Sequence, residues 1–335
     1  MLPTILVTGG AGYIGSHTCK ALSEAGWLPV AYDDLSNGHD WAVRWGPLEV
    51  GDIRDRDRLI EVIRRHNPVG ILHFAGLIEA GLSVTEPMRF YDVNVRGTMA
   101  LLEAIMATAP IPLVFSSTAA VYGTLERSPA DETHPLAPVS PYGRSKLMVE
   151  QMITDLAHAK GLNWTALRYF NAAGADPEGE LGEAHQPETH LIPLAIEVAV
   201  GRRSAFTLFG KDYDTPDGTC VRDFIHVADL ARAHVLALGR LLHGGWSTAL
   251  NLGTGRGYSV RQVIKAVEEV SGRKVPVLVR DRRPGDPPSL VSNSDRAHKV
   301  LGWAPIRSGL DDIVADAWNW NSRHFEIKEA RHALG

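Results

Sequence analysis

Tyr142 and Lys146 stand four residues apart, and Thr118 lies 24 residues before the tyrosine. On a helix, residues at the first spacing share a face. A phenol ordinarily ionises near pH ~10, but an ammonium beside it, together with the positive ring of an oxidised hydride-accepting cofactor, favours the phenolate and makes it a base. Such a base can take the proton of a substrate hydroxyl while a hydride leaves the same carbon. A threonine hydroxyl within reach can bond the same oxygen and relay the proton. Tyrosine and lysine at this spacing also recur on ordinary helix surfaces, so the pair gains meaning only beside a hydride acceptor.

The start of the chain offers a place for one. Ile5-Leu6-Val7 is an apolar run, Thr8-Gly9-Gly10-Ala11-Gly12-Tyr13-Ile14-Gly15 is a glycine turn, and Pro29-Val30-Ala31-Tyr32 is a second run ending in Asp33-Asp34. An acid about 20 residues beyond such glycines completes a dinucleotide-binding pattern. The glycines let the backbone approach a pyrophosphate, and a helix beginning near Tyr13 aims its amides and positive end at that anion. The acid accepts hydrogen bonds from an adenosine ribose, which favours NAD over NADP. Gly15-Ser16-His17 lacks the Gly-Lys-Ser/Thr ending that holds nucleoside triphosphates.

These groups must be brought together by a scaffold that aligns strand ends. The sequence predicts a helix near Asp57 to His66, a strand Gly70 to Phe74, a helix Pro87 to Ala107 and a strand Pro112 to Ser116. A helix Pro141 to Lys160, opened by Ser140-Pro141, and a strand Thr165 to Tyr169 follow. Alternation of this kind predicts an α/β protein with a Rossmann-type doubly wound parallel sheet and a smaller, interleaved α/β substrate-binding part. Asp33, Asp52, Phe74-Ala75-Gly76, Ser116-Ser117-Thr118 and Asn171 fall at carboxyl ends of strands, where ligands of such sheets collect. Beyond residue 171 a loop rich in Gly, Pro and Glu runs to Pro187, ahead of a helix His190 to Val200. The turn Gly253-Thr254-Gly255-Arg256-Gly257 reads as structural, because no acidic strand end follows it. Residues 1–171, with about 225–247, are expected to form the dinucleotide domain, and 172–224 with 248–335 the substrate domain.

The 335 residues are 44% hydrophobic, enough for a substantial core. Their formal net charge of −5 leaves no global positive field for nucleic acid or anionic lipid. Cys19 and Cys220 are the only cysteines, which argues against a disulfide framework and for a reducing, cytoplasmic setting. With the first strand starting near residue 4, no signal peptide is expected, and no apolar run approaches a membrane span. The 14 histidines are scattered outside the familiar zinc patterns, so no metal site is expected.

At this point the chain resembles the extended short-chain dehydrogenase/reductase superfamily, and within it the UDP-galactose 4-epimerase family. The resemblance rests on Thr8 to Gly15, Phe74-Ala75-Gly76, Ser116-Ser117-Thr118-Ala119-Ala120-Val121-Tyr122-Gly123 and Tyr142-Gly143-Arg144-Ser145-Lys146. Leu167-Arg168-Tyr169-Phe170-Asn171, Asp217 to Val227 and Arg282-Arg283-Pro284-Gly285-Asp286 extend it over essentially the whole chain. It implies tightly held NAD that is regenerated in every turnover, with Tyr142, Lys146 and Thr118 as the catalytic group. It further implies that Gly9, Gly12, Tyr13, Ile14, Gly15, Asp33, Asp34, Asn37, Asp52, Ile53, Phe74, Ala75, Gly76, Leu77, Asn94, Tyr142, Lys146 and Phe170 surround NAD. A UDP-sugar would be held by Thr118, Tyr142, Asn171, His190, Leu191, Thr207, Phe209, Arg222, Arg283, Asp286 and Leu290. Arg222 and Arg283 suit diphosphate oxygens, Asp286 suits ribose hydroxyls, and Phe209 offers an apolar base contact. The helices Pro87 to Ala107 and Pro141 to Lys160 resemble the pair that builds a homodimer's four-helix bundle in this family.

Rival functions are an epimerase for another nucleotide sugar such as a UDP-pentose, a nucleotide-sugar dehydratase, and a non-catalytic NAD-binding protein. A dehydratase needs acidic residues directly after the Ser/Thr to move protons during elimination, and here Ala119 and Ala120 stand there. A non-catalytic protein has no need of Tyr142, Lys146 and Thr118 together. The chain departs from the family at Ile78, often lysine, at Thr118, often serine, and at Leu290, where tyrosine or a smaller residue is usual. A side chain smaller than tyrosine at 290 is expected to leave space for an N-acetyl group on the sugar.

Overall fold

In a computed structural model, residues 2–125, 127–283 and 286–333 are described, with side chains through residue 322. Pro284 and Gly285 of the Arg282 to Asp286 motif lie outside the described residues. The strands, in chain order, are β1 (Thr4–Thr8), β2 (Leu28–Asp33), β3 (Leu48–Val50), β4 (Gly70–His73), β5 (Leu113–Thr118), β6 (Trp164–Tyr169) and β7 (Asn171–Ala173). They continue as β8 (Phe206–Phe209), β9 (Val221–His226), β10 (Thr248–Leu252), β11 (Gly257–Ser259), β12 (Val277–Arg280) and β13 (Ser289–Leu290). The helices are α1 (Tyr13–Glu24), α2 (Arg56–His66), α3 (Ala80–Thr85), α4 (Pro87–Phe90), α5 (Gly97–Thr108) and α6 (Pro141–Lys160). After them come α7 (Leu191–Ala199), α8 (Val227–Leu242), α9 (Val260–Ser271), α10 (Asp295–Leu301) and α11 (Leu310–Ala333).

Seven strands form one sheet in the order β10-β6-β5-β4-β1-β2-β3, every neighbouring pair parallel. Both faces are covered, so the strands are apolar throughout and successive side chains feed opposite cores. Leu6 joins Leu59, Val62, Ile105 and Val149 of α2, α5 and α6 on one face. Ile5 and Val7 join Leu22 of α1 and Leu230 and Leu238 of α8 on the other. Strand order reverses between β1 and β4, which opens the crevice where ligands of such sheets lie. A separate core of Ile192, Ile196, Phe206, Leu208, Phe224, Val263 and Ile313 holds α7, α9, α11 and the short strands of the substrate side. There β9 pairs with β7, β11 and β13, while β8 pairs with β12.

The doubly wound sheet is as the sequence predicts. Two of its strands are not: three-residue β3, and β10, which extends the sheet beyond β6 although the domain boundary drawn at 247 assigns it to the other half. The helix expected over Pro87 to Ala107 contains a π turn at Tyr91–Arg96 between α4 and α5. Such turns concentrate at functional sites. Here Asn94, inside the turn and buried, accepts from Leu77 N at 2.7 Å and donates to Leu77 O and Ser145 Oγ at 3.0 Å each. Among the described residues no helix is long and apolar enough to cross a membrane.

Candidate active site

The glycine turn between β1 and α1 is closed against itself. Gly9 has φ +73°, and a Cβ on it would lie 2.6 Å from the Ala75 nitrogen; one on Gly15 would lie 2.1 Å from the Gly9 carbonyl oxygen. Only glycine fits either place. Gly12 caps α1 without a side-chain hydrogen bond, and no acid occupies the first turn, so the opening amides lack a protein anion. A pyrophosphate satisfies that deficit. Asp33, nearly buried at the end of β2, accepts from Ala11 N at 3.0 Å and Leu35 N at 2.9 Å, which fixes its carboxylate beside the turn. These features fit NAD. Asp34 and Asn37 are exposed at the rim, Ile53 is buried against the Gly97 backbone, and Phe74 to Leu77 leave the end of β4 facing the turn.

The reacting group comes from a three-rung clasp between β5 and α6. Ser140 Oγ accepts from Gly143 N at 3.1 Å and Pro141 follows it, so α6 starts where the sequence predicts. Tyr142, Lys146 and Glu150 then stand on successive turns of one face. The Thr118 hydroxyl lies next to the Tyr142 phenol and pulls its pKa down against the burial that raises it. Lys146 Nζ donates to Ser116 O at 2.9 Å, and Ser117 Oγ donates to Glu150 at 2.5 Å. Thr118 Oγ1 accepts from Ala120 N at 3.1 Å, leaving its own hydrogen for the tyrosine oxygen.

The protein's own charges supply only part of the expected electrostatics. Lys146 is 3% exposed, sits 5.0 Å from the Phe115 ring centroid, and is pushed down to about 8 by burial. Tyr142 is pushed up to about 12, chiefly by burial, with the Thr118 hydroxyl opposing. The lysine spends its proton on a carbonyl of β5 instead of the phenol. The protein by itself therefore keeps the phenol protonated, and the further positive charge must arrive with the cofactor.

On the substrate side, Asn171 donates to Asp223 O at 2.9 Å, and Thr207 and Phe209 lie on β8. The Arg283 guanidinium stacks 4.0 Å from the Phe209 centroid. Arg222 pairs with Asp286 and donates to Pro287 O at 2.9 Å. The sequence expectation has these two charges meeting different parts of a ligand; here they neutralise each other across β9 and the 286 loop. Asp52 differs likewise, its carboxylate taken by Arg54, which pulls it below the ordinary carboxylate range. Leu290 pairs with Arg222 in the β13–β9 ladder. His190 caps α7, with Leu191 as its first residue, and Phe170 packs beside Tyr122 near the end of β6.

Residues 5–253 match the NAD dependent epimerase/dehydratase family. The chain belongs to that family. Its similarity to a UDP-glucose 4-epimerase of Rhizobium meliloti (strain 1021) is 57% identity over 95% of this chain and 97% of the relative. The crystal structure of a UDP-glucose 4-epimerase from Brucella ovis in complex with NAD is 50% identical, with TM-score 0.94 over 96% of this chain and 98% of that one. The UDP-Glc/GlcNAc 4-epimerase of Campylobacter jejuni is 39% identical, with TM-score 0.84 over 96% and 99%. The family and fold read from the sequence are thus borne out.

Several side chains around this epimerase-family site escape sequence reasoning. Ser83, fully buried, accepts from Tyr142 N at 3.1 Å. Arg168 donates to Glu150 at 3.0 Å and to the Tyr122 hydroxyl at 3.0 Å, anchoring the third rung of the clasp. Neither carries a local signal, because each partner lies on another element. Glu183, His185, Glu188 and His190 cluster ahead of α7. The only trace of that cluster in the sequence is the E-x-H-x-x-E-x-H spacing.

Proposed function

We propose that this protein interconverts UDP-galactose and UDP-glucose by NAD-dependent inversion at carbon 4 of the sugar, through a transient 4-keto sugar. NAD, when bound, supplies the hydride acceptor and the positive ring charge. Tyr142 takes the 4-hydroxyl proton, Thr118 holds the phenol oxygen by donating to it, and Lys146 fixes α6 on β5. The observation that carries this reading is Tyr142 and Lys146 on one face of α6, with Lys146 held on Ser116 O of β5 and Thr118 at the end of that strand, beside an uncapped glycine turn. Ala119 and Ala120 follow Thr118 as a short turn without an acid or base, which favours return of the hydride over elimination.

For the ligands we propose the residue sets expected from the sequence, with His190 meeting the UDP-sugar through Nε2, since its Nδ1 faces Glu183 and Glu188, and with the Arg222–Asp286 pair opening so that the guanidinium meets the diphosphate and the carboxylate the ribose. Asn94 acts in this reading by holding the Leu77 backbone against NAD. A similar protein described as a UDP-Glc/GlcNAc 4-epimerase, and Leu290 in place of a larger tyrosine, support turnover of the N-acetylated sugars as well. A homodimer is part of the proposal, supported by exposed Val84 (64%), Met88 (74%), Met99 (46%) and Met148 (41%) on α3 to α6. The deciding experiment incubates purified protein with UDP-galactose and no added NAD, then identifies the product's stereochemistry. UDP-glucose is expected, and Tyr142→Phe should slow its formation by roughly 100-fold or more. Full-speed inversion by that variant would overturn the assignment of the base.

A further inference from the structure

Four potential metal ligands converge outside the reacting group. Glu183, His185, Glu188 and His190 each present one donor atom, all within 4.8 Å of one another. The Glu183 side chain is 5% exposed and that of Glu188 6%. One Glu183 oxygen lies 2.9 Å from His185 Nδ1 and 2.7 Å from His190 Nδ1, while Glu188 Oε1 lies 3.1 Å from His190 Nδ1. Glu188 Oε1 also accepts from Thr189 N at 2.6 Å and His190 N at 2.8 Å, which fixes this carboxylate beside the His190 ring. The acidic group Asp176, Glu178 and Glu180 is a useful contrast. It surrounds Lys20 Nζ at 2.9, 2.7 and 2.9 Å and already has its cation.

We propose that Glu183, His185, Glu188 and His190 form a closed, four-coordinate site for a divalent transition metal, best suited to Zn²⁺. Two imidazoles and two carboxylates match its nitrogen and oxygen preferences and balance its charge. With metal–ligand bonds of about 2.0–2.1 Å, neighbouring donors in a tetrahedron stand ~3.3 Å apart, so the 2.7, 2.9 and 3.1 Å separations open slightly, and the other pairs, all within 4.8 Å, adjust to the same spacing. Four protein ligands leave no open position, which makes the site structural. Its effect falls on the loop between β7 and α7. The His185 ring lies 6.3 Å from that of Tyr13, whose hydroxyl donates to Gly174 O at 2.6 Å. A metal would pin this loop to the glycine turn and to the start of α7.

The test uses the NAD-loaded protein, expressed with zinc and desalted, then EDTA-treated and titrated with ZnCl₂ and CoCl₂. About one zinc per chain is expected by elemental analysis, with tetrahedral Co²⁺ absorption and a rise in Tm on adding Zn²⁺. His185→Ala and Glu188→Gln, checked for folding by circular dichroism and retained NAD, should bind Zn²⁺ roughly 100-fold more weakly and lose the Tm response. Wild-type protein that takes up no stoichiometric zinc or cobalt overturns the proposal whatever the variants do. So does zinc binding that both variants retain in full, since the ions then sit elsewhere and the four side chains are only an imidazolium–carboxylate cluster.

Discussion

Replacing Lys146 with methionine should abolish turnover and, in nucleotide-free protein, raise stability. The ammonium is 3% exposed, and its burial lowers its pKa from an ordinary 10.5 to about 8. At 1.36 kcal/mol per pH unit, that is about 3 kcal/mol against folding with the lysine charged. Methionine removes the penalty while keeping the stem's packing. The variant leaves Ser116 O without its donor, at a cost of about 1 kcal/mol, and loses about 0.5–1 kcal/mol of contact with the Phe115 ring. A net gain of ~1 kcal/mol at pH 7 remains. The pH dependence is the sharper signature. Below pH 8 both folded and unfolded lysines are charged and the full penalty applies; between about 8 and 10.5 the unfolded chain binds the extra proton, so wild-type stability rises with pH. The difference between variant and wild type should therefore be largest near neutrality and fade, or change sign, near pH 10.5. Urea unfolding of both proteins at pH 7 and at pH 10 measures it. A variant that is less stable at pH 7 by more than about 1 kcal/mol, or a gap that does not change with pH, would refute the account of a strained ammonium.

Thr118→Val removes the hydroxyl that donates to Tyr142, worth about 2 kcal/mol for a charged acceptor. Steady-state assays should show kcat down roughly 30-fold with little change in KM, the acidic limb of the pH profile, where the base loses its proton, moved upward, and activity restored by Thr118→Ser. Leu290→Tyr should suppress conversion of UDP-N-acetylglucosamine far more than that of UDP-glucose; equal losses on both sugars would remove Leu290 as the determinant. Glu150→Ala strands the buried Arg168 charge and should cost about 3–5 kcal/mol in urea unfolding, whereas Glu150→Leu combined with Arg168→Met should recover much of it.

The dinucleotide half was legible because its signals are local. Glycines, apolar runs and Asp33 follow one another in the order in which they fold, and Ser140-Pro141 marks the start of α6 within two residues. What escaped depends on distant partners. β3 is three residues long, too short to show a period, and β10 is recognisable only beside β6. The stretch from Pro87 reads as one helix because nothing in Tyr91 to Arg96 signals the extra residue that turns Asn94 toward Leu77. Spacing along α6 correctly put Tyr142 and Lys146 on one face. It could not show that a carbonyl 30 residues upstream would claim the ammonium. The Arg222–Asp286 pair belongs to the same class, since a charge's partner lies in three dimensions and the motif lists only its members.

The clasp between β5 and α6 has a consequence for how the site can change. Three consecutive strand residues grip three successive helical turns, so the helix is indexed to the strand by its own side chains. The connection between Gly123 and Val139 does not set that alignment. It can lengthen, shorten or reshape around a new sugar without displacing the base, whereas inserting or deleting a single residue between Tyr142 and Glu150 rotates a tooth out of its notch. The base and its supporting strand are thereby held on one fixed stretch of chain, apart from a connection that is free to drift.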